Sequence, residues 1–305
     1  MKIQKYTKDM RDDFFDFLLP IMEKDIKILI LTNDYGSPML DLIKKKFPKR
    51  CINCGITEQN IVSVSAGLAY NGYKPIIYSI STFITLRSFE QIKLDISVMK
   101  LPVVILSVGA GYAYSMDGPT HHATDDIAIL NTLSNCRIIS PSENSLILKK
   151  SIINFKFKGL TYLRLDRGKL QKLSNFFDYN SNTFRFKKVH KNILVISTGF
   201  LIQEITKSIQ ESNISNFSLM DIVQIKPIDK KIITYIKKFK KVIIVEEHIA
   251  EGGLFTIIQS LLNKNNIKSN ISSLSLLQSA TYNYGDRDML HRHNKIDINS
   301  ILGAI

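Results

Sequence analysis

Gly55-Ile56-Thr57-Glu58-Gln59 reads as a turn that runs straight into a helix. From Glu58 to Tyr70 the segment presents Ala66, Gly67 and Ala69 as a small-residue packing face. A carboxylate in the first turn of a helix is favoured by the positive end of the helix dipole, and that alone would account for Glu58. A carboxyl held at a helix start among apolar neighbours has a second use, because its environment can tune it between proton donor and acceptor. Cys51 to Asn53 before the motif and Pro75 to Ile80 after it have strand character, so this helix connects two strands.

The same alternation extends in both directions. Residues 6–24 carry Phe14, Phe17, Leu18 and Ile21 at helical spacing with acids opposite, and Ile26 to Leu31 is a short apolar run entering the turn Thr32-Asn33-Asp34-Tyr35-Gly36. Ser37-Pro38 opens a helix, where proline is tolerated in the first turn. Downstream come a helix over Phe83 to Met99 and strands over Val103 to Val108, Arg137 to Ser140 and Thr161 to Leu165. Strand and helix alternating at this pitch predict a doubly wound, mostly parallel α/β sheet. From Gly168 to Thr183 the periodicity fades into Asn, Ser and Asp. A second α/β unit follows, with strands over Ile193 to Ser197, Phe217 to Asp221, Val242 to Glu246 and Ile271 to Leu276, and a Gly252-Gly253 approach before a helix near Leu254. The expectation is a first domain over 1–170, a linker over 171–183 and a second domain over 184–305.

The chain of 305 residues is long enough for two such cores, and 45% hydrophobic with 22% charged residues is ordinary for a globular protein. A formal charge of +14 raises the question of nucleic acid. The lysines are spread over the whole chain without a nucleic-acid-binding signature, so no nucleic-acid partner is expected. Three cysteines make no disulfide framework. Cys51 and Cys54 form a single C-x-x-C with no second pair to complete a zinc site, and strand packing is the expected role. No signal-like apolar segment follows Met1-Lys2, and Leu101 to Tyr114 is too short and glycine-broken to span a membrane. A cytoplasmic protein with no membrane partner is expected.

Three further stretches carry chemistry-bearing residues. Ser81-Thr82-Phe83, with Phe89 six residues on, offers aromatic faces on which a flat heteroaromatic ring can stack, although core packing would place the same residues. Asp117-Gly118-Pro119-Thr120-His121 puts a carboxylate and an imidazole on one turn, and His suits proton donation near neutral pH. His122 is adjacent and points differently. Arg167, in Arg164-Leu165-Asp166-Arg167-Gly168, ends a strand where a guanidinium can grip a phosphate, or an acid on the surface. Glu246-Glu247-His248 suggests a metal, but successive strand residues face opposite ways, so all three on one ion is not expected.

Together these motifs, in this order from about Ile28 to Arg167, resemble the pyrimidine-binding half of the transketolase family, and the second unit more loosely resembles its C-terminal domain. The match to Gly-Ile-x-Glu-His/Gln is close, and the Gln59 form is that of deoxyxylulose-phosphate synthases. The resemblance implies that Glu58 is catalytic, hydrogen-bonding N1′ of the aminopyrimidine of thiamin diphosphate. Phe83 would stack on that ring, with Phe89 at the pocket edge and Leu86 where transketolases commonly have an aromatic residue. Asp117, His121 (also catalytic), His122, Arg167 and Asp34 would form the substrate set. A second basic phosphate contact usual in the family falls at Gly109 or Ala110 here, which implies either an unphosphorylated donor or acceptor or a phosphate held by another chain. Asp117-Gly118 followed by Asn144 only faintly mimics the Mg-diphosphate motif, with Met116 in place of its first glycine, and that reading is rejected.

The half that binds diphosphate and Mg²⁺ through Gly-Asp-Gly…Asn precedes these domains in a full-length transketolase. The resemblance therefore implies the C-terminal subunit of a split enzyme, with Mg²⁺ carried by a separate N-terminal subunit and no metal ligand here. An α2β2 assembly with a self-dimer of this chain, and a sugar or sugar-phosphate substrate, would follow. The Gly-Gly turn is expected at the dimer contact. Competing readings are a deoxyxylulose-phosphate-synthase-like subunit, discriminated by decarboxylation of pyruvate; a 2-oxo acid dehydrogenase β-like subunit, which would need lipoyl transfer; and a non-catalytic scaffold.

Overall fold

The computed structural model describes residues 4–153, 155–173, 175–212, 214–277 and 283–305. Its first half supplies β1 (Ile28–Thr32), β2 (Cys51–Asn53), β3 (Lys74–Ile80), β4 (Val103–Val108), β5 (Cys136–Ile139) and β6 (Leu160–Leu165). Its second half supplies β7 (Tyr179–Asn180), β8 (Phe184–Lys187), β9 (Ile193–Ser197), β10 (Ser218–Ile222), β11 (Gln224–Lys226), β12 (Lys241–Ile249) and β13 (Ile271–Leu276). They form two mostly parallel sheets, ordered β11-β5-β6-β4-β3-β1-β2 and β13-β12-β9-β10-β8-β7. β1, β4 and β6 are buried along their whole length, as strands covered on both faces must be.

The architecture is the doubly wound α/β pair that the apolar runs predict, with local differences. β1 begins at Ile28 rather than Ile26, whose side chain is 78% exposed. The preceding helix Met10–Lys24 stops at its cap Asp25, and Ile28 N–H donates to the Asp25 carbonyl, so the chain is still turning at Ile26. β7 and β8 form an antiparallel extension at one edge of the second sheet, and β7 lies inside the segment expected to be irregular. Two residues are too few to show an alternation.

A larger difference concerns Phe83 to Met99, expected as one helix. The α-helix Ser81–Arg87 ends at Ser88, a separate turn Phe89–Gln91 follows, and Ile92–Val98 is a wide π-type helix. The Thr85 hydroxyl donates to the Ser81 carbonyl and the Ser88 hydroxyl to that of Ile84. Such back-bonding bends helices, and Ser88 has left helical geometry at φ −121°, ψ 21°. The break decides which side chains of this stretch face the cleft.

The halves are interlocked. β11 follows a strand of the second sheet yet pairs antiparallel with β5 of the first, while one continuous apolar core runs from Ile61 and Ile77 to Ile225 and Leu254. The Gly252-Gly253 turn packs inside the chain: a Cβ at Gly252 would stand 2.7 Å from Ala128 Cβ. β12 thus delivers this turn against the first half, and Glu251 beside it stays exposed. No helix among the described residues is long and apolar enough to cross a membrane.

Candidate active site

At the ends of β1 and β3 the chain forms a cleft of about 250 Å³ lined by Asn33, Asp34, Tyr35, Ile56, Glu58, Ser79, Ile80, Phe83 and Arg87. Gly55 (φ +69°) turns the backbone from β2 into the helix Glu58–Tyr70, a conformation that suits glycine. This places Glu58, only 6% exposed, in the first helical position and at the cleft wall. Asn53 holds the approach, its Oδ1 accepting from the N–H groups of Asp34 and Gly55 and its Nδ2 donating to Asp34 Oδ1 at 2.9 Å. Asn33 Nδ2 donates to the Gly55 carbonyl at 3.0 Å, while its buried Oδ1 meets no partner among the described residues.

Glu58 Oε1 accepts from Arg87 Nη1 at 2.8 Å, and the same guanidinium lies 4.2 Å from the Phe83 ring centroid. A flat, nitrogen-rich cation therefore already stacks on Phe83 and donates to Glu58. The pair suits a heteroaromatic ring that brings an N–H of its own, which is the chemistry of an aminopyrimidine. Arg87 is half exposed. Sequence reasoning missed it: an arginine one turn beyond Phe83 carries no signal until the helix is known to end at Ser88.

The second wall comes from the loop after β4. The His121 ring meets Phe83 edge-on with centroids 4.9 Å apart and tilts against Tyr114 at 5.8 Å. Its Nδ1 is 3.0 Å from Thr120 Oγ1, and its N–H donates to the Gly118 carbonyl at 2.9 Å, closing the turn. Asp117 is exposed on that turn, whose Gly118 has φ +75°. Arg167 is exposed at the end of β6 and lies 4.2 Å over Tyr114, whose hydroxyl shares a short hydrogen bond with Tyr35. Arg11 Nη1 donates to Tyr35 Oη at 2.8 Å. Tyr35 and Tyr114 thus link the Glu58 cleft to Arg167, a tyrosine bridge that two unrelated loop positions could not reveal in advance.

The structure brings Asp34, Glu58 and Phe83 into one lining, with His121 against Phe83 and Arg167 behind Tyr114. It does not bring Phe89 or Leu86 into that lining. Beyond the Ser88 break Phe89 packs on the central core, and Leu86 is 48% exposed on the outer side of its helix. His122 is buried, its Nε2 3.1 Å from the Ser115 carbonyl and its ring edge-to-face with Tyr112. Cys51 and Cys54 pack against the two cores, and burial pushes the Cys51 thiol up to about 11.

The three residues Glu246, Glu247 and His248 have separate partners. Glu247 pairs with Arg287 and His291; burial opposes its ionisation, yet those two neighbours hold its carboxyl below the usual range. Buried His248 lies 3.9 Å from Asp126, and desolvation lowers its pKa to about 4. Glu246 accepts the first N–H groups of the helix Leu254–Lys264 at 2.6 and 3.1 Å, but desolvation outweighs these bonds and pushes its pKa up to about 8.

The raised Glu246 value has a measurable sign. The folded chain holds this proton to higher pH than the unfolded chain, so its stabilisation is complete below about pH 4.5 and is lost as pH rises through about 8. His248 works oppositely, its contribution being lost as pH falls from about 6.5 through about 4. Between about pH 6.5 and 8, wild-type stability should fall by roughly 2 kcal/mol more than that of Glu246→Gln in denaturant titrations. Parallel pH profiles would show that Glu246 is ionised in the fold.

Residues 7–172 match the transketolase pyrimidine-binding domain, and residues 183–301 match the transketolase C-terminal domain. The chain is 30% identical over 266 residues to a subunit of the apulose-4-phosphate transketolase of Phocaeicola vulgatus, covering 84% of each chain. It is 25% identical over 311 residues to the 1-deoxy-D-xylulose-5-phosphate synthase of Syntrophomonas wolfei subsp. wolfei, spanning 100% of this chain and 48% of that protein. A solved split-gene transketolase, an inactive β4 tetramer, shares the fold with a TM-score of 0.82 over 97% of both chains, at 23% identity. This chain belongs to the transketolase family and carries its pyrimidine-binding and C-terminal domains.

Proposed function

We propose that this chain is the C-terminal subunit of a two-subunit transketolase that moves a two-carbon ketol unit from a ketose to an aldose. The observation that carries the reading is the cleft in which the Glu58 carboxyl and the Phe83 face stand together, with His121 against the same ring. Thiamin diphosphate, when bound, supplies the nucleophilic carbon that ketol transfer needs. Phe83 would stack on its pyrimidine and Glu58 would hold the proton at N1′. Asp117 would take a ketose hydroxyl, His121 would exchange a proton with the substrate carbonyl oxygen, and Arg167 would meet a terminal phosphate. Asp34 contributes a further carboxylate at the rim.

Mg²⁺ with the diphosphate is assigned to an N-terminal partner. Ile56 stands 72% exposed in the cleft lining, as expected of a wall that another chain covers. The split-gene transketolase solved as an inactive β4 tetramer is a precedent for self-association of such a chain, and an α2β2 assembly with a second subunit is the arrangement assigned to this one.

Native mass spectrometry of the chain captured from its own cells tests this. A stoichiometric partner with a Gly-Asp-Gly…Asn segment, bound thiamin diphosphate and ketol transfer between sugars is expected. A lone homodimer without cofactor would overturn the reading. Gln59 and the half-length match to deoxyxylulose-phosphate synthase favour one alternative, pyruvate decarboxylation. Carbon dioxide release from pyruvate by the complex would replace ketol transfer with it.

A further inference from the structure

The loop that presents Asp117 and His121 belongs to the first domain, but residues of the second hold it. At its base Gly111 and Ala123 exchange backbone hydrogen bonds of 3.1 and 3.0 Å. Gly111 has φ +54°, and a Cβ there would stand 2.0 Å from Glu247 Oε2, so the Glu247 carboxylate rests on the loop's base. Arg287 Nε and Nη2 donate to Glu247 at 2.8 and 2.6 Å. The same guanidinium donates from Nη1 and Nη2 to Asp166 at 2.9 and 2.7 Å. Asp166 Oδ1 in turn accepts the N–H of Arg167 at 2.7 Å. His291, one turn after Arg287, meets through its Nε2 the same Glu247 Oε1 that accepts from Arg287 Nε, and its ring lies 6.4 Å from Tyr112 of the loop. At the tip, the Tyr284 ring fills the space where a Cβ on Gly118 would project, 2.0 Å away. One arginine, stacked 3.6 Å from the Phe200 centroid, therefore reaches both halves of the substrate end.

We infer that Arg287 is a positioning residue that sets the Asp117–His121 loop and Arg167 against each other, so that the C-terminal domain governs how the ketose is held. That the loop meets the ketose rests on the function proposed above; the mechanical link does not. The guanidinium offsets two buried carboxylates at once, and a neutral side chain leaves Asp166 and Glu247 facing each other without it. The effect is confined locally, because the β11–β5 pairing and the shared core keep the domains together without Arg287.

Hydrogen–deuterium exchange on the full chain tests the link directly. Arg287→Gln should speed exchange in residues 111–123 and 166–168 by at least about tenfold while β9 and β12 stay protected. Arg287→Lys keeps the charge without the fork and should recover part of that protection. In the complex with its partner, and with fructose 6-phosphate as the ketose probe, Arg287→Gln should raise KM by about tenfold or more and leave thiamin diphosphate affinity within about twofold. Unchanged exchange in the loop would overturn the inference, as would a parallel loss of cofactor affinity, which marks general loosening. Faster loop exchange in a complex whose wild type transfers no ketol unit would uphold the link and overturn the proposed function instead.

Discussion

Glu58→Ala is expected to remove ketol transfer from the reconstituted complex, lowering kcat by about 10²–10⁴-fold while assembly stays intact. The expectation follows from where the carboxyl sits. It is buried at the cleft wall, and Arg87 is the described residue that donates to it. Arg87 is itself half exposed, so truncation leaves a cation that water can solvate rather than a buried orphan charge. The helix Glu58–Tyr70 keeps its packing through Ile61, Val62, Ala66 and Ala69, none of which touches the substitution's chemistry. Size-exclusion chromatography with the partner reports assembly, and a coupled ketol-transfer assay reports turnover. Retention of more than about a tenth of wild-type kcat would sink the assignment of Glu58.

The second large effect is on cofactor affinity. The isolated chain should bind thiamin diphosphate no more tightly than about 1 mM, and addition of the N-terminal subunit should tighten binding by at least about 10³-fold. This chain offers the ring one aromatic face, worth roughly 0.5–1.5 kcal/mol beyond burial, and one hydrogen bond to a charged group, worth roughly 1.5–3 kcal/mol. Association alone costs about 4–15 kcal/mol of lost freedom, so these contacts cannot produce a tight complex. Arg87 must also leave the Phe83 face before a ring can take it. Calorimetric titration of the chain, with and without the partner, decides the matter. Micromolar binding to the chain alone would mean that the diphosphate finds its site here, and the division of labour between two subunits would fail.

The parts legible in the sequence are those governed by local physics. Buried parallel strands are runs of apolar residues because both faces are covered, so β1, β4 and β6 are visible as Ile, Val and Leu clusters. The Glu58 helix start is visible because Gly55 must turn the chain immediately before it. The Gly118 turn is visible for the same reason, and with it the pairing of Asp117 and His121 on one loop. β11 is different. Three residues, Gln224 to Lys226, have no pattern, and their place depends on the edge that β5 leaves open in the other sheet.

What the order of residues determined by itself is the layered α/β plan and the presence of an acid at a helix start, an aromatic ring and an imidazole as candidates for one site. Helical and strand periods, glycine turns and apolar runs are properties of neighbours along the chain, and they persist whatever the chain meets later. Tertiary structure alone decided who stands beside whom across long separations. Ser88 ends its helix so that Phe83 and Arg87 face Glu58 while Phe89 turns to the core. Tyr35 meets Tyr114 across 79 positions, and Arg287 meets Asp166 across 121. Hydrogen bonds and charge pairs are short-ranged, so such contacts exist only once both sheets have brought their loops within about 3 Å, and no spacing in the sequence encodes that distance.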